Sequence, residues 1–298
     1  PDVEIPETAL TPLVLRRTSE LPDKPALIDG PSGRTITYSQ LADSIAIAAH
    51  NLKQRGFKKG EVFGILSPNC PDYAIAFHAV ATLGGIVTPI NPLYTKHEIG
   101  HQLKDCGARF LVTIPMFMDK AREAAEAANV EEVFVFGEAE GATPFASLLV
   151  DNGRAEQVGI HPREDLVALP YSSGTTGLPK GVMLTHHNLV ANIRQMEGLD
   201  YFFETDKLIC VLRLSHIYGL VVFLNMRLYT GATIVTMPRF ELETFLKTVQ
   251  DHEVSLAHLV PPIVLALSKH PVVDNYSLPK LRTIFSGAAP LGEDLTKA

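Results

Sequence analysis

From Ser39 onward, short apolar runs alternate with stretches whose apolar residues fall three and four positions apart, and this constrains the fold more than anything else in the chain. Leu41, Ile45, Ala48, Ala49 and Leu52 mark one helical face, and Gly56 follows where a left-handed residue would end the helix. VFGIL at 62–66 then reads as a buried strand, 73–83 as a helix and IVTPI at 86–90 as a strand. A helix over 96–106 stops at Gly107, RFLVTI follows as a strand, and 120–128 with EVFVF repeats the unit. Strands apolar on both faces, linked by helices, imply α/β architecture: two doubly wound, mostly parallel sheets flanked by helices.

Between Gly137 and Asp165 the sequence turns polar and loses its period, which predicts a boundary between a first α/β subdomain over 1–150 and a second over 151–298. In the second, DLVALPY (165–171), KLICVL (207–212), ATIVTM (232–237), SLAHLV (255–260) and LRTIFS (281–286) read as strands. Helices are expected near 188–197, 217–229, 241–251 and 262–269.

Composition narrows the function classes. With 46% hydrophobic and 20% charged residues, 298 residues can bury the core of one large or two ordinary domains. A net charge of −7 leaves no basic surplus for nucleic acid or an anionic membrane, so any phosphate binding would be local. Cys70, Cys106 and Cys210 are far apart and suggest neither a disulfide framework nor a zinc knot, which points to a reducing, cytoplasmic setting. The opening PDVEIPETAL shows no secretory signal. The most apolar stretch, 73–90, contains His78, Gly84, Gly85 and Pro89 and reads as a helix and a strand, since a membrane span wants about 20 predominantly apolar residues.

Open α/β sheets bind ligands beyond the carboxyl ends of their strands. Three unusual loops fall there: SSGTTGLPKG after the 165 strand, LSHIYG after the 207 strand and SGAAPLG after the 281 strand. In the first, Gly174, Gly177 and Gly181 permit close backbone approach, while Ser172, Ser173, Thr175 and Thr176 offer hydroxyl donors. Lys180 adds a compact charge suited to a polyphosphate. The loop is not a Walker A motif, because Pro179 precedes the lysine and Gly181 follows it. A flexible linker of similar composition would have no need of a lysine, nor would it leave directly from an apolar strand. HEIGH at 97–101 fits H-E-x-x-H, with His97 and His101 as zinc ligands and Glu98 as base, but no third ligand is set by the sequence. A zinc metalloprotease is therefore the remote reading.

YSSGTTGLPKGVMLTH resembles the phosphate-loop signature of the adenylate-forming enzymes, which include acyl-CoA synthetases, 4-coumarate–CoA ligases, luciferases and peptide-synthetase adenylation domains. SHIYGL (215–220), MPRF (237–240) and SGAAPLGEDL (286–295) resemble that family's later motifs in order. TYSQLA, PNCPDYAIAFHAVATLGGIVTPINPLYT and HQLKDCGAR resemble its N-terminal half, so the likeness covers nearly the whole chain and is nearest 4-coumarate–CoA ligases and bacterial acyl-CoA synthetases.

The resemblance implies ATP-dependent activation of an aryl or fatty carboxylic acid to an acyl-adenylate, then transfer to coenzyme A. It implies that Ser172, Ser173, Gly174, Thr175, Thr176, Gly177 and Lys180 hold the ATP phosphates with Mg²⁺, no metal ligand being assigned to the protein. Gly287, Ala288 and Ala289 would line the adenine and acyl pocket, Tyr218, Val222 and Phe285 would shape the acyl pocket, and His216 would lie beside the carboxylate as a catalytic residue with Lys180. Arg239 stands where plant ligases carry a CoA-contacting Lys, and Arg213 where the family usually has Pro. The family's later Tyr-Gly-x-Thr-Glu, Thr/Ser-Gly-Asp and Pro-Lys-x-x-x-Gly-Lys motifs do not occur before the sequence ends at GEDLTKA. The resemblance therefore implies an N-terminal fragment whose partner is the missing C-terminal domain with its catalytic lysine, and little complete ligase activity alone. The alternative is a non-catalytic ATP- and acyl-binding fragment or scaffold.

Overall fold

The computed structural model describes residues 3–155, 158–172, 178–199 and 201–297. The first strands are Pro25–Asp29 (β1), Thr35–Thr37 (β2), Val62–Ile65 (β3), Ile86–Pro89 (β4), Ala108–Thr113 (β5), Glu132–Val135 (β6) and Thr143–Pro144 (β7). They are followed by Leu166–Ala168 (β8), Tyr171–Ser172 (β9), Lys180–Gly181 (β10), Leu184–Thr185 (β11), Lys207–Cys210 (β12), Thr233–Thr236 (β13), Leu256–Leu259 (β14) and Thr283–Ser286 (β15). The helices used below are Leu10–Val14 (α1), Tyr38–Gln54 (α2), Pro71–Thr82 (α3), Lys96–Asp105 (α4), Met118–Ala128 (α5), His186–Glu197 (α6), Met226–Thr230 (α7), Leu242–Asp251 (α8) and Pro261–Lys269 (α9).

One sheet runs β11-β8-β4-β3-β5-β6-β7 and the other β15-β14-β12-β13-β1-β2. Within these two sheets neighbours are parallel except at two edge pairs, β11 with β8 and β2 with β1, and β10 and β9 form a separate antiparallel pair. The mostly parallel α/β reading therefore holds. Neither sheet keeps to one side of residue 150, however. β1 and β2 join the sheet built from later strands, while β8 and β11 complete the sheet built from earlier ones. The polar stretch before Asp165 is thus no divide between sheets. β1 and β2 also precede the alternation that begins at Ser39, and β2 has only three residues.

Period-2 alternation sends successive strand residues into different cores. Leu208 and Cys210 face a central core shared by both sheets, whereas Ile209 and Val211 face an outer one with Phe245, Leu246 and Val249 of α8. On the other sheet, Phe63 and Ile65 enter the central core, while Val62 and Leu66 meet Ile99 and Leu103 of α4 and Ala121 of α5. α2 and α3 fill the middle, and α3 is apolar nearly all round because sheets lie on both sides of it. The result is five layers, helix on sheet on helix on sheet on helix.

Local chemistry sets the helix ends. Thr37 with Gln40, Thr95 with Glu98 and Thr185 with Asn188 form capping boxes that start α2, α4 and α6. Gly56 and Gly107 adopt φ of 84° and 62° just past α2 and α4, the left-handed stop anticipated for them. The HEIGH segment takes its use from this geometry. The Glu98 carboxylate accepts the Thr95 N–H at 2.8 Å, and that bond pulls its pKa down, so Glu98 serves as a helix cap. Among the described residues no three His, Cys, Asp or Glu side chains gather as a metal site. Likewise, no helix among the described residues is long and apolar enough to cross a membrane.

Two buried histidines pin α1 to the central layer. The Leu10 N–H donates to His186 Nδ1 at 3.1 Å, and Thr11 pairs with His78 Nδ1 at 3.1 Å. Desolvation lowers the His78 pKa to about 3 and that of His186 to about 4. Both rings are therefore neutral in the native state at pH values where the unfolded chain takes up protons. Their contribution is present above about pH 6.5 and is lost as pH falls toward the folded values, by about 1.4 kcal/mol per unit for each ring. Urea unfolding should show each ring lowering stability by about 2 kcal/mol from pH 7 to pH 5, and His78→Gln should remove about one proton from that dependence. Stability unchanged across this range would contradict the assignment.

Candidate active site

The carboxyl ends of the two sheets are joined by Asn69, which lies just beyond β3 and is 3% exposed. Its Nδ2 donates to the carbonyls of Cys210 and Leu212 at 3.0 Å each, and its Oδ1 accepts the Leu214 N–H at 2.8 Å. These bonds go to backbone at the end of β12 and just beyond it, with the Cys210 Sγ also within 3.6 Å of Nδ2, so an amide from one sheet holds a loop of the other. Arg213 adds a second link through Asn91 Oδ1, beyond β4, at 3.4 Å. Arg213 is exposed and its partner is a neighbouring loop.

After Leu214 the chain doubles back so closely that a Cβ on Gly219 would lie 2.1 Å from the Arg213 carbonyl oxygen. Gly219–Asn225 is wound as a π-helix, continuing into α7. Such wide turns often mark functional segments because they displace side chains from regular helical positions. The expected helix over 217–229 is present, in this altered form. Val222 is 9% exposed within it.

His216 and Tyr218 stand exposed at the entrance to this turn. The Tyr218 amide donates to His216 Nδ1 at 3.2 Å. A backbone N–H can only donate, so in neutral His216 the proton sits on Nε2, which is left as an outward donor. The Tyr218 hydroxyl pairs with His258 Nδ1 at 2.7 Å. His258 belongs to β14 and faces Phe285 of β15, its register partner, with the rings stacked 4.9 Å apart. Phe223 and Tyr201 approach the same aromatic group edgewise or tilted.

Behind the rings lies a buried charge cluster. Arg227 and Asp206, 0% and 1% exposed, pair at 3.4 Å, and Arg227 Nη2 donates to His258 Nε2 at 3.1 Å. Asp206 also accepts from Ser255 Oγ at 3.0 Å and from Arg282. Burial lowers the Arg227 pKa to about 10, so it stays charged at neutral pH. His258, Arg227, Asp206 and Asn69 escaped sequence reading. For His258 and Arg227 the signal was a polar residue inside an apolar run, as in SLAHLV and FLNMRLYT.

Lys180 and Ser172 are antiparallel register partners on β10 and β9, both exposed, and Lys180 makes no ion pair among the described residues. Ser173, Gly174, Thr175, Thr176 and Gly177 lie outside the described residues. Beyond β15, the Gly287 N–H bonds the Leu259 carbonyl at 3.0 Å, and exposed Ala288 has φ of 67°, a left-handed conformation costly for alanine. Gly287 has open space around its α-carbon, and Ala289 is exposed. Arg239 is exposed beyond β13, near Glu241, and among the described residues makes no ion pair. The three cysteines are free, and burial raises their pKa values, to about 12 for Cys70 and about 11 for Cys106.

The model of the AMP-binding enzyme family matches residues 15–298. The chain belongs to that family. This AMP-binding enzyme chain is 40% identical over 303 residues to a 4-coumarate–CoA ligase of Oryza sativa subsp. japonica, covering 100% of the chain and 54% of the relative. It is 40% identical over 304 residues to one from Petroselinum crispum, again over 100% of the chain and 56% of that protein. The chain thus spans about half the length of the curated relatives it matches. A solved long-chain-fatty-acid–CoA ligase from Archaeoglobus fulgidus superposes with a TM-score of 0.91 at 26% identity, over 100% of this chain and 61% of that one. An anthranilate–CoA ligase solved with anthranoyl-AMP shares the fold, with a TM-score of 0.90 at 24% identity, over 99% of this chain and 57% of that one.

The geometry makes the loop after β12 sensitive to two residues. Gly219→Ala would drive a Cβ into backbone that has no free space, costing about 3 kcal/mol or more. Asn69→Leu would leave the Leu214 N–H unpaired and take a donor from the Cys210 and Leu212 carbonyls, the former keeping its bond from the Met237 N–H, at a cost of about 2–3 kcal/mol. Denaturant midpoints of the two variants check both figures; a loss under about 1 kcal/mol in either would show that the loop is held by other means.

Proposed function

We propose that the chain carries the nucleotide- and acid-binding face of an enzyme that activates an aryl or fatty carboxylic acid with ATP, forming an acyl-adenylate and pyrophosphate, before transfer to coenzyme A. The observation that supports this most is the outward Nε2 donor of His216 on a loop held by Asn69, beyond the same sheet ends from which the glycine-rich segment and the strained Ala288 turn emerge. Membership in the AMP-binding family and likeness to CoA ligases support the same reading.

The chemical obstacle is an anion attacking an α-phosphate that is itself negative, so positioning and charge neutralisation must supply most of the rate. Lys180, exposed and without an ionic partner among the described residues, fits a polyphosphate and would offset the charge that develops on departing pyrophosphate. His216 would orient the carboxylate through Nε2–H. No acidic cluster stands ready for a metal among the described residues, so Mg²⁺ would be held largely by phosphate oxygens and water, as is usual for that ion. Gly287, Ala288 and Ala289 would pass beside adenine, and the rings of Tyr218 and Phe285 with Val222 would receive the acyl group. Arg239 would meet coenzyme A from its separate loop. The second half-reaction would draw on a C-terminal domain like the portion of the relatives that the chain does not span.

Calorimetric titration with Mg–ATP tests the phosphate role. The folded chain should bind ATP, and Lys180→Met, an exposed change on a two-residue strand, should weaken binding at least tenfold while leaving the denaturant midpoint in place. Equal affinity in the two proteins would remove Lys180 from the site. Absence of ATP binding by the folded chain would instead support a scaffold.

A further inference from the structure

Arg213 holds a charge with no counter-ion among the described residues. It is exposed, and its one side-chain bond runs from Nη1 to Asn91 Oδ1 at 3.4 Å. Asn91 does not depend on that contact, because its Oδ1 also accepts the Leu93 N–H at 3.1 Å. Nor does the loop after β12, which Asn69 holds on either side of Arg213 through the Leu212 carbonyl and the Leu214 N–H. A guanidinium has five N–H donors, so most of those on Arg213 are left over. On a chain of net charge −7, an arginine without a carboxylate has no evident structural use.

Its place in the fold suggests another use. β4 and β8 are parallel neighbours, with the Leu169 N–H donating to the Val87 carbonyl at 2.8 Å and Thr88 Oγ1 donating to the Leu169 carbonyl at 2.9 Å. The two strands therefore deliver their next residues side by side. Asn91 lies just past β4, and Ser172, the register partner of Lys180, lies just past β8. On the other sheet, the Arg213 carbonyl accepts the His216 N–H at 3.1 Å, so Arg213 and His216 close one turn. Arg213 thus reaches from the turn that carries His216 to the strand exit next to the one that carries Lys180.

We infer that Arg213 is a second phosphate-binding cation, meeting the β- and γ-phosphates of ATP from the β12 side of the crevice while Lys180 meets them from the β8 side. This rests on the activation reading above. Mg–ATP keeps more negative charge than one lysine offsets, and the planar guanidinium can bond two phosphate oxygens at once, which an ammonium does as a point charge only. Arg213 gains its counter-ion when the nucleotide binds.

Two exposed substitutions separate charge from tether. Arg213→Gln removes the charge and keeps a neutral donor for Asn91, whereas Arg213→Lys keeps the charge and loses the fork. Both should retain the wild-type denaturant midpoint. In calorimetric titration, Mg–ATP should bind about tenfold more weakly to Arg213→Gln, the worth of one charge-assisted hydrogen bond, and less weakly than that to Arg213→Lys. Affinity for AMP, which has no β- or γ-phosphate, should change by less than about twofold. Added salt should weaken Mg–ATP binding less in Arg213→Gln than in the wild-type chain. A residue that only propped the loop would shift ATP and AMP together and leave the salt dependence as it was. That pattern, or an undiminished affinity for Mg–ATP in Arg213→Gln, would overturn the inference and leave the activation reading intact. A folded wild-type chain that bound neither nucleotide would overturn the activation reading, and the role of Arg213 with it.

Discussion

A buried amide, that of Asn69, ties the carboxyl end of one sheet to that of the other. Parallel sheets deliver loops to their carboxyl ends, but nothing in that topology aligns one sheet with another. Asn69 does so by satisfying two carbonyls and one amide of the segment leaving β12. The Leu214 amide is buried, so an apolar side chain in place of Asn69 would leave it without water or partner. The position of His216 follows from this clamp, since the segment then turns over Gly219 with no slack and enters the π-helix.

The charge cluster beneath the aromatic group follows a related logic. A buried ion pair such as Arg227 with Asp206 offers little net stability against an apolar replacement, because desolvation offsets the attraction. Its use here is directional. Asp206 is shared among Arg227, Arg282 and Ser255, which fixes the carboxylate. The Arg227 guanidinium therefore has a defined orientation toward His258, and His258 toward Tyr218. Phe202 covers the Arg227 guanidinium at 4.6 Å, adding cation–π attraction and excluding solvent. Through these contacts a buried charge is linked to the hydroxyl of Tyr218.

Much of the fold was legible from periodicity because strands buried on both faces are apolar throughout and their helices are long enough to show a stripe. β3, β5, β12 and the helices around them are of this kind. β1 and β2 were not legible: β2 has three residues, and the partner that stabilises β1 is β13, some two hundred positions away. The exchange of strands across residue 150 has the same origin, since pairing between distant segments leaves no local trace. The exposed chemistry of the site, His216 with Tyr218 and Lys180, was visible as unusual residues at strand ends. Asn69, His258 and Arg227 were not, because what distinguishes them is burial and partnership. A histidine in SLAHLV gains its meaning only when β15 places Phe285 against it and α7 brings Arg227 behind it.

The central claim is that this face assembles around a carboxylic acid and ATP so that one becomes bonded to the α-phosphate of the other. The most direct test is calorimetric titration of the chain with ATP and with non-hydrolysable acyl-adenylate analogues over a panel of aryl and fatty acids. The account predicts binding that depends on the acyl group and falls sharply in His216→Ala. A folded chain that binds ATP but none of the analogues would contradict it.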